Sequence, residues 1–304
     1  MEIAAELLAA SLRIATPLLL VALGGILSER AGTFAVAIEG MMLAGAFGAA
    51  VAGMAGGPWA GLGAAMLAGV LVAAAVAVAT GRFGTDQMVT GLAVNILVAG
   101  LTSYLLRALF GGRAPVISLS VLQPWPVPVL SEIPLVGQAL LQQPPLTYLA
   151  LLATVPLGLF LTRSRPGLVL RAAGENSDAV FAAGVDPVRV RAWALLACGA
   201  LAGLGGAALV LQQVGGFTDG MTHGRGFIAL AALIVGRWRP LPVAAACLVF
   251  GLISAVALRA QGWGLPVSSY VVQMMPYVLA LAALAGIGRA VRMPAAIGEA
   301  FRRG

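Results

Sequence analysis

The chain contains no lysine, one histidine (His223) and two cysteines among 304 residues. Each shortage removes a class of chemistry. Without lysine, no P-loop can hold ATP phosphates. A single histidine rules out a multi-histidine metal site, and Cys198 and Cys247 sit inside apolar runs with no metal or redox spacing. No Ser/His/Asp arrangement in credible context and no HExxH string is present, so the chain does not read as an enzyme. Charged residues make up only 10% of the chain, too few for the surface of a soluble domain of this length.

Hydrophobic residues fill the rest, at 61% and a mean hydropathy of +1.00. Several apolar runs reach the roughly 20 residues that cross about 30 Å of hydrocarbon. The short alternating strands of a membrane barrel are missing. The expected fold is therefore an all-α polytopic integral membrane protein, a single transmembrane domain over residues 1–304 lying in the lipid bilayer. The 40 glycines suit close helix packing and broken helices. The net charge of +7 reflects arginines at helix ends and in loops, not affinity for nucleic acid.

About 8–10 transmembrane helices are expected by length. The reading gives spans at Ile3–Leu27, Phe34–Met54, Pro58–Thr80, Met88–Phe110, Leu146–Thr162, Ala192–Val214, Leu241–Ala260 and Ser268–Gly288. A half-length helix, Phe227–Gly236, lies before the eighth of nine segments. Met1–Leu27 lacks a basic start and a cleavage site, and is expected to be a retained span rather than a signal peptide. Gly111–Pro145 is broken by prolines and contains Trp125, as expected for an outer loop near the interface. Polar, glycine-flanked stretches predict helix breaks near Gly32–Gly40 and Gly215–Gly236, and paired breaks mark transporter sites. Arginine concentrates in loops assigned to the cytoplasm, which predicts a cytoplasmic C-terminus.

The polar stretch Arg163–Arg191 contains five of the 18 basic residues. It cannot lie in lipid and is expected to be a cytoplasmic docking loop. Asn176 or Ser177 is placed to cap a short amphipathic helix ending near Gly184, with Gly174 and Gly184 supplying its bounding turns. A basic loop held by anionic lipid is the plainer reading.

Five strings together resemble one family. They are Glu29-Arg30-Ala31-Gly32 with Ala37-Ile38-Glu39-Gly40-Met41-Met42; Gly91-Leu92-Ala93-Val94-Asn95; Leu170-Arg171-Ala172-Ala173-Gly174-Glu175-Asn176 with Ala183-Gly184-Val185; Gly224-Arg225-Gly226-Phe227-Ile228-Ala229 through Gly236-Arg237-Trp238-Arg239-Pro240; and Met275-Pro276-Tyr277. The set resembles nucleoside ABC-transporter permeases, within the larger branched-chain amino acid and simple-sugar permease family. At Ala35 the chain departs from the pattern, which has asparagine there.

The resemblance implies a permease subunit of a bacterial inner-membrane importer, with no cofactor of its own. It implies three partners: a second homologous permease forming a heterodimer, a tandem nucleotide-binding ATPase that binds the ATP, and an extracytoplasmic basic-membrane-lipoprotein-type binding protein. Arg171, Gly174, Glu175, Asn176 and Gly184 would couple to the ATPase through a coupling helix. Substrate-path candidates are Phe34, Glu39, Asn95, Phe217, Asp219, His223 and Phe227: aromatics to stack a base, polar groups to bond a sugar. Each has a structural alternative. Glu39 and Asn95 are equally suited to bonds between helices, and the phenylalanines to packing the bundle. Permeases for simple sugars or branched-chain amino acids are the nearest alternative. An ion-coupled secondary transporter using Glu39 is a more distant one.

Overall fold

In lipid a backbone has no water to bond, so apolar runs of this length must become helices. A computed structural model describes residues 2–111, 121–126, 140–262, 269–287 and 293–299. Its helices are α1 (Glu2–Arg30), α2 (Ile38–Arg82), α3 (Gln87–Phe110), α4 (Pro145–Arg163), α5 (Arg165–Glu175), α6 (Ser177–Ala182), α7 (Pro187–Ala208), α8 (Arg225–Val235), α9 (Pro240–Gly262) and α10 (Ser269–Ile287). A π-helical turn, Leu209–Val214, extends α7. Trp125–Pro126 and Gln142–Gln143 form one short antiparallel pairing. Among the described residues, six helices are long and apolar enough to cross a membrane. The protein is an all-α polytopic membrane protein.

The longest helix is a hairpin. Gly57 has φ 79° and ψ 179°, outside the helical region, and Pro58 restarts the chain in the opposite direction. The arms, 38–56 and 58–82, lie back to back, with Gly61 against the Ala49 carbonyl and Gly48 against that of Ala64. Helix α7 fills the groove of this hairpin. A Cβ added at Gly203 would stand 2.2 Å from the Ala65 carbonyl oxygen, and one at Gly206 only 2.0 Å from that of Met42. Backbones this close need glycine, and dispersion between them is the main attraction available inside a bilayer. Helices α1 and α7 form the interior: 72% and 78% of their apolar windows are buried, against 22% for α3. The outward apolar side chains of α3 and α4, such as Ile96, Leu97 and Leu152, are exposed, as a lipid-facing surface requires.

Three boundaries differ from the sequence reading. The second span opens at Ile38 rather than Phe34, because residues 33–35 are irregular with backbone groups taken up by side chains, and residues 36–37 form a turn that leads into the helix. The sixth opens at Pro187 rather than Ala192. There the Asp186 carboxylate accepts the Val188 N–H, and proline occupies the first turn, where its missing donor costs nothing. Arg191 therefore lies within a helix, not in a loop. Gly174 lies inside α5 and makes no turn. Of the two bounding glycines, only Gly184, at φ 85°, does so. Arg113, Glu132 and the tail residues Arg289, Arg292, Arg302 and Arg303 lie outside the described residues.

Candidate functional site

Two helix breaks meet near the middle of the bundle. The first follows α1. Ser28 and Thr33 close a double turn, Thr33 N–H to the Ser28 carbonyl at 3.0 Å and Ser28 Oγ to the Thr33 carbonyl at 2.9 Å. Gly32, at φ 92°, turns the chain. The non-helical residues that follow lie along α3, which supplies bonds a helix would have made internally. The Phe34 N–H donates to Gln87 Oε1 at 2.7 Å. Asn95 uses both ends of its amide: Nδ2 donates to the Val36 carbonyl and Oδ1 accepts the Gly40 N–H, each at 2.8 Å. Gly91, one turn earlier on α3, leaves room for the passing backbone, since a Cβ there would stand 2.7 Å from that of Val36. The spacing of Gly91 and Asn95 is thus that of a cradle. A glycine admits the passing backbone, and an amide four residues on holds it.

The second break lies between the π-helical turn and α8. Gly215, Gly220 and Gly224 all have positive φ, as does His223 at 44°. Ser103 on α3 donates to Asp219 Oδ1 at 2.5 Å. The Tyr277 hydroxyl on α10 donates to the His223 carbonyl. The loop is strung between these two helices. Helix α8 then begins inside the bundle. Its 11 residues extend roughly 16 Å, half of a bilayer core.

Glu39 joins the two breaks. It lies in the first turn of α2, and its carboxylate accepts the Gly224 N–H at 2.8 Å and the Gly226 N–H at 2.6 Å. It therefore caps the first turn of α8 from another helix. Two helix N-termini, each carrying partial positive charge, face one carboxylate. Gly226 is what allows the approach: a Cβ there would stand 2.6 Å from Glu39 Oε2 and 2.9 Å from its Cα.

The far end of α8 is held by Glu29. Trp238 Nε1 donates to Glu29 Oε2 at 2.6 Å, and the Ala35 N–H donates to Oε1 at 3.4 Å. Trp238 is 2% exposed, and both it and Arg237 have φ 54°, a conformation bulky residues rarely adopt. A buried indole N–H requires an acceptor, and Glu29 supplies it. Two glutamates, one at each end of the first break, thus grip the two ends of α8.

The stretch between α4 and α7 folds back onto this assembly. Ser164 caps α5 and Asn176 caps α6, accepting the Ala179 N–H at 2.9 Å. Gly174 packs on the first break, where a Cβ would stand 2.2 Å from the Arg30 carbonyl oxygen. Arg191 bonds three segments at once: Nε to the Ala31 carbonyl at 3.2 Å, Nη2 to Ser177 Oγ at 2.9 Å, and Nη1 to the Glu299 carbonyl at 2.6 Å. Glu175, Asn176, Phe181 and Gly184 are exposed at the tip, whereas Arg171 is half-buried and lines a cleft beside Arg30 and Arg239.

Among the substrate-path candidates, Glu39 and Asn95 are occupied with backbone. Phe217 is buried, edge-on to Phe47 at 5.3 Å between ring centroids. Asp219, His223 and Phe227 are exposed, and Phe34 is half-buried. A cavity of about 390 Å³ between α1, α8, α9 and α10 is lined in part by His223, Arg225, Ser254 and Tyr277. Sequence reasoning passed over Glu29, Gln87, Trp238, Arg191 and Arg225. For Glu29 and Trp238 a signal existed: a carboxylate and an indole, each needing a partner, beside two breaks.

The family description "branched-chain amino acid transport system / permease component" matches residues 7–287. The chain is 34% identical to a nucleoside ABC transporter permease of Lactococcus lactis subsp. cremoris, over 91% of this chain and 90% of that one. It is 33% identical to a guanosine ABC transporter permease of Bacillus subtilis, over 95% and 94%. It is also 36% identical to a putative glucose ABC transporter permease of Haloferax volcanii, over 87% and 80%. No solved structure matches it. With the match running from the first span through the last, across both breaks and the stretch that ties them together, the chain belongs to the permease-component family of the branched-chain amino acid transport system, as an ABC transporter permease.

Proposed function

We propose that this chain is the permease subunit of an ATP-driven nucleoside importer in a bacterial cytoplasmic membrane. It pairs with a second permease and receives substrate from a lipoprotein-type binding protein outside. ATP is bound and hydrolysed by a separate tandem ATPase. The arginine bias puts the α5–α6 end and the C-terminus in the cytoplasm. One observation carries the mechanism: the exposed α6 tip is tied through Gly174 and Arg191 to the first break, and that break ends at Glu39, whose carboxylate holds the start of α8. A push on the tip reaches the second break through the Gly174 backbone contact and the side-chain hydrogen bonds of Arg191 and Glu39. In this reading Asp219, His223 and Phe227 meet the substrate, and Glu39 and Asn95 hold the breaks in register.

Nucleosides are supported by the five strings and by two of the relatives, one named for nucleosides and one for guanosine. The Haloferax relative, named for glucose, makes a simple sugar the second reading. Competition in uptake assays separates them: unlabelled nucleosides, and not glucose or leucine, displace labelled guanosine. Coupling is tested with Gly184→Trp and Glu175→Arg. A Cβ at Gly184 meets nothing within 4 Å in this chain, so a large side chain there confronts the partner, and Gly184→Asn controls for the positive φ. Uptake is lost in both variants while membrane levels hold. Undiminished uptake in both contradicts the assignment.

A further inference from the structure

Between α4, α5 and the start of α9 lies an open cleft of about 820 Å³. Arg30, Arg171 and Arg239, from three separate elements, line it together with mostly apolar residues including Val155, Leu159 and Leu241, and the charges of Arg171 and Arg239 both act on Arg30. Val155, Leu159 and Leu241 are exposed. Among the described residues no carboxylate lines the cleft; Glu175, whose charge acts on Arg30, is exposed and outside its lining. The nearby Glu29 is taken up by Trp238 and Ala35. The ion pairs among the described residues, Arg189 with Asp186 and Arg259 with Glu6, include none of the three arginines. Arg30 donates to the carbonyls of Trp238 and Arg237, at 3.3 and 3.5 Å, which fixes it at the cleft edge. Arg171 Nε is buried without a hydrogen-bond partner, a costly state for a guanidinium donor.

We infer that this cleft binds an anionic phospholipid. Its phosphate sits among the three guanidinium groups and gives the Arg171 Nε an acceptor, and an acyl chain follows Val155, Leu159 and Leu241 along α4 and α9. The pairing of three clustered arginines with a mostly apolar lining selects an amphipathic anion. Inorganic phosphate would satisfy the arginines and leave the apolar lining bare. A bound lipid would brace Arg30, two residues before Gly32, against Arg171 on α5. It would therefore stiffen the join between the docking stretch and the first break. The inference needs only the chain's place in a membrane and is independent of what is transported.

The test uses the full chain, stripped of lipid and placed in phosphatidylcholine nanodiscs. Bound phosphatidylglycerol is quantified by native mass spectrometry against phosphatidylcholine of the same acyl chains. Phosphatidylglycerol is retained selectively. Retention falls about fivefold for Arg239→Gln and further for Arg171→Gln with Arg239→Gln, while Arg171→Lys, which keeps the charge, falls less than Arg171→Gln. Arg239 is exposed, so Arg239→Gln folds and decides the matter even if the double variant does not. Millimolar inorganic phosphate leaves the lipid in place. Equal retention of the two lipids, displacement by phosphate, or wild-type retention in Arg239→Gln overturns the proposal.

Discussion

The two helix breaks solve the same problem in opposite ways. Residues 33–37 are mostly buried, and side chains from α1 and α3 take up their backbone groups: Glu29 for Ala35, Gln87 for Phe34, Asn95 for Val36. The loop 215–224 is largely exposed or half-buried. Glycines with positive φ shape it, and it is tethered to neighbouring helices at Asp219 and at the His223 carbonyl. Polar side chains are scarce in this chain, and they are spent on the first break. A segment bonded at nearly every residue moves as one piece. A glycine-rich loop with few ties can change shape around a ligand. The first break thus suits transmission and the second suits recognition, with Glu39 as the joint between them.

Substitutions that break this contrast should differ in a ranked way. Gly226→Val drives a side chain into the Glu39 backbone and is the most damaging, costing roughly 3 kcal/mol or more by overpacking; folded protein recovered from membranes falls sharply. Glu39→Ala strands two N–H groups at the start of α8 and costs about 3 kcal/mol, read as a lower Tm in detergent. Trp238→Phe removes the bond to Glu29 while keeping most of the volume, for about 2 kcal/mol, with a smaller fall in Tm. Asn95→Ala frees one end of the first break and costs on the order of 1 kcal/mol. Asp219→Asn should leave Tm unchanged and raise the KM for uptake, because the residue lies in the exposed loop. A large Tm loss for Asp219→Asn, or none for Asn95→Ala, would erase the distinction between the breaks.

Most of the helix order was legible because apolar length and polar interruption are local properties. The hairpin tip at Gly57–Pro58, the cap at Asn176 and the short α8 all follow from neighbouring residues. Helix onset at Ile38 was not legible. Phe34 continues the apolar pattern, and the segment is kept out of the helix by bonds from Glu29 and from Gln87 and Asn95, the last two more than 50 positions away. The grip of Glu29 on Trp238 spans 209 positions and has no local signature beyond two groups that each need a partner. Arg191 read as a loop cation because its carbonyl partners, Ala31, Ala296 and Glu299, lie more than 100 positions away in sequence. The recurring strings are better understood as halves of long-range pairs: Glu29 with Trp238, Glu39 with Gly226, Gly91 and Asn95 with Val36.

Amide hydrogen exchange on the full chain in nanodiscs tests the joint most directly, comparing wild type with Glu39→Gln. The account predicts faster exchange over residues 224–228, with little change in the turn at 236–239, which Glu29 continues to hold. Unchanged exchange over 224–228, together with a dependence of uptake on an ion gradient that Glu39→Gln abolishes, would contradict it and make Glu39 an ion site.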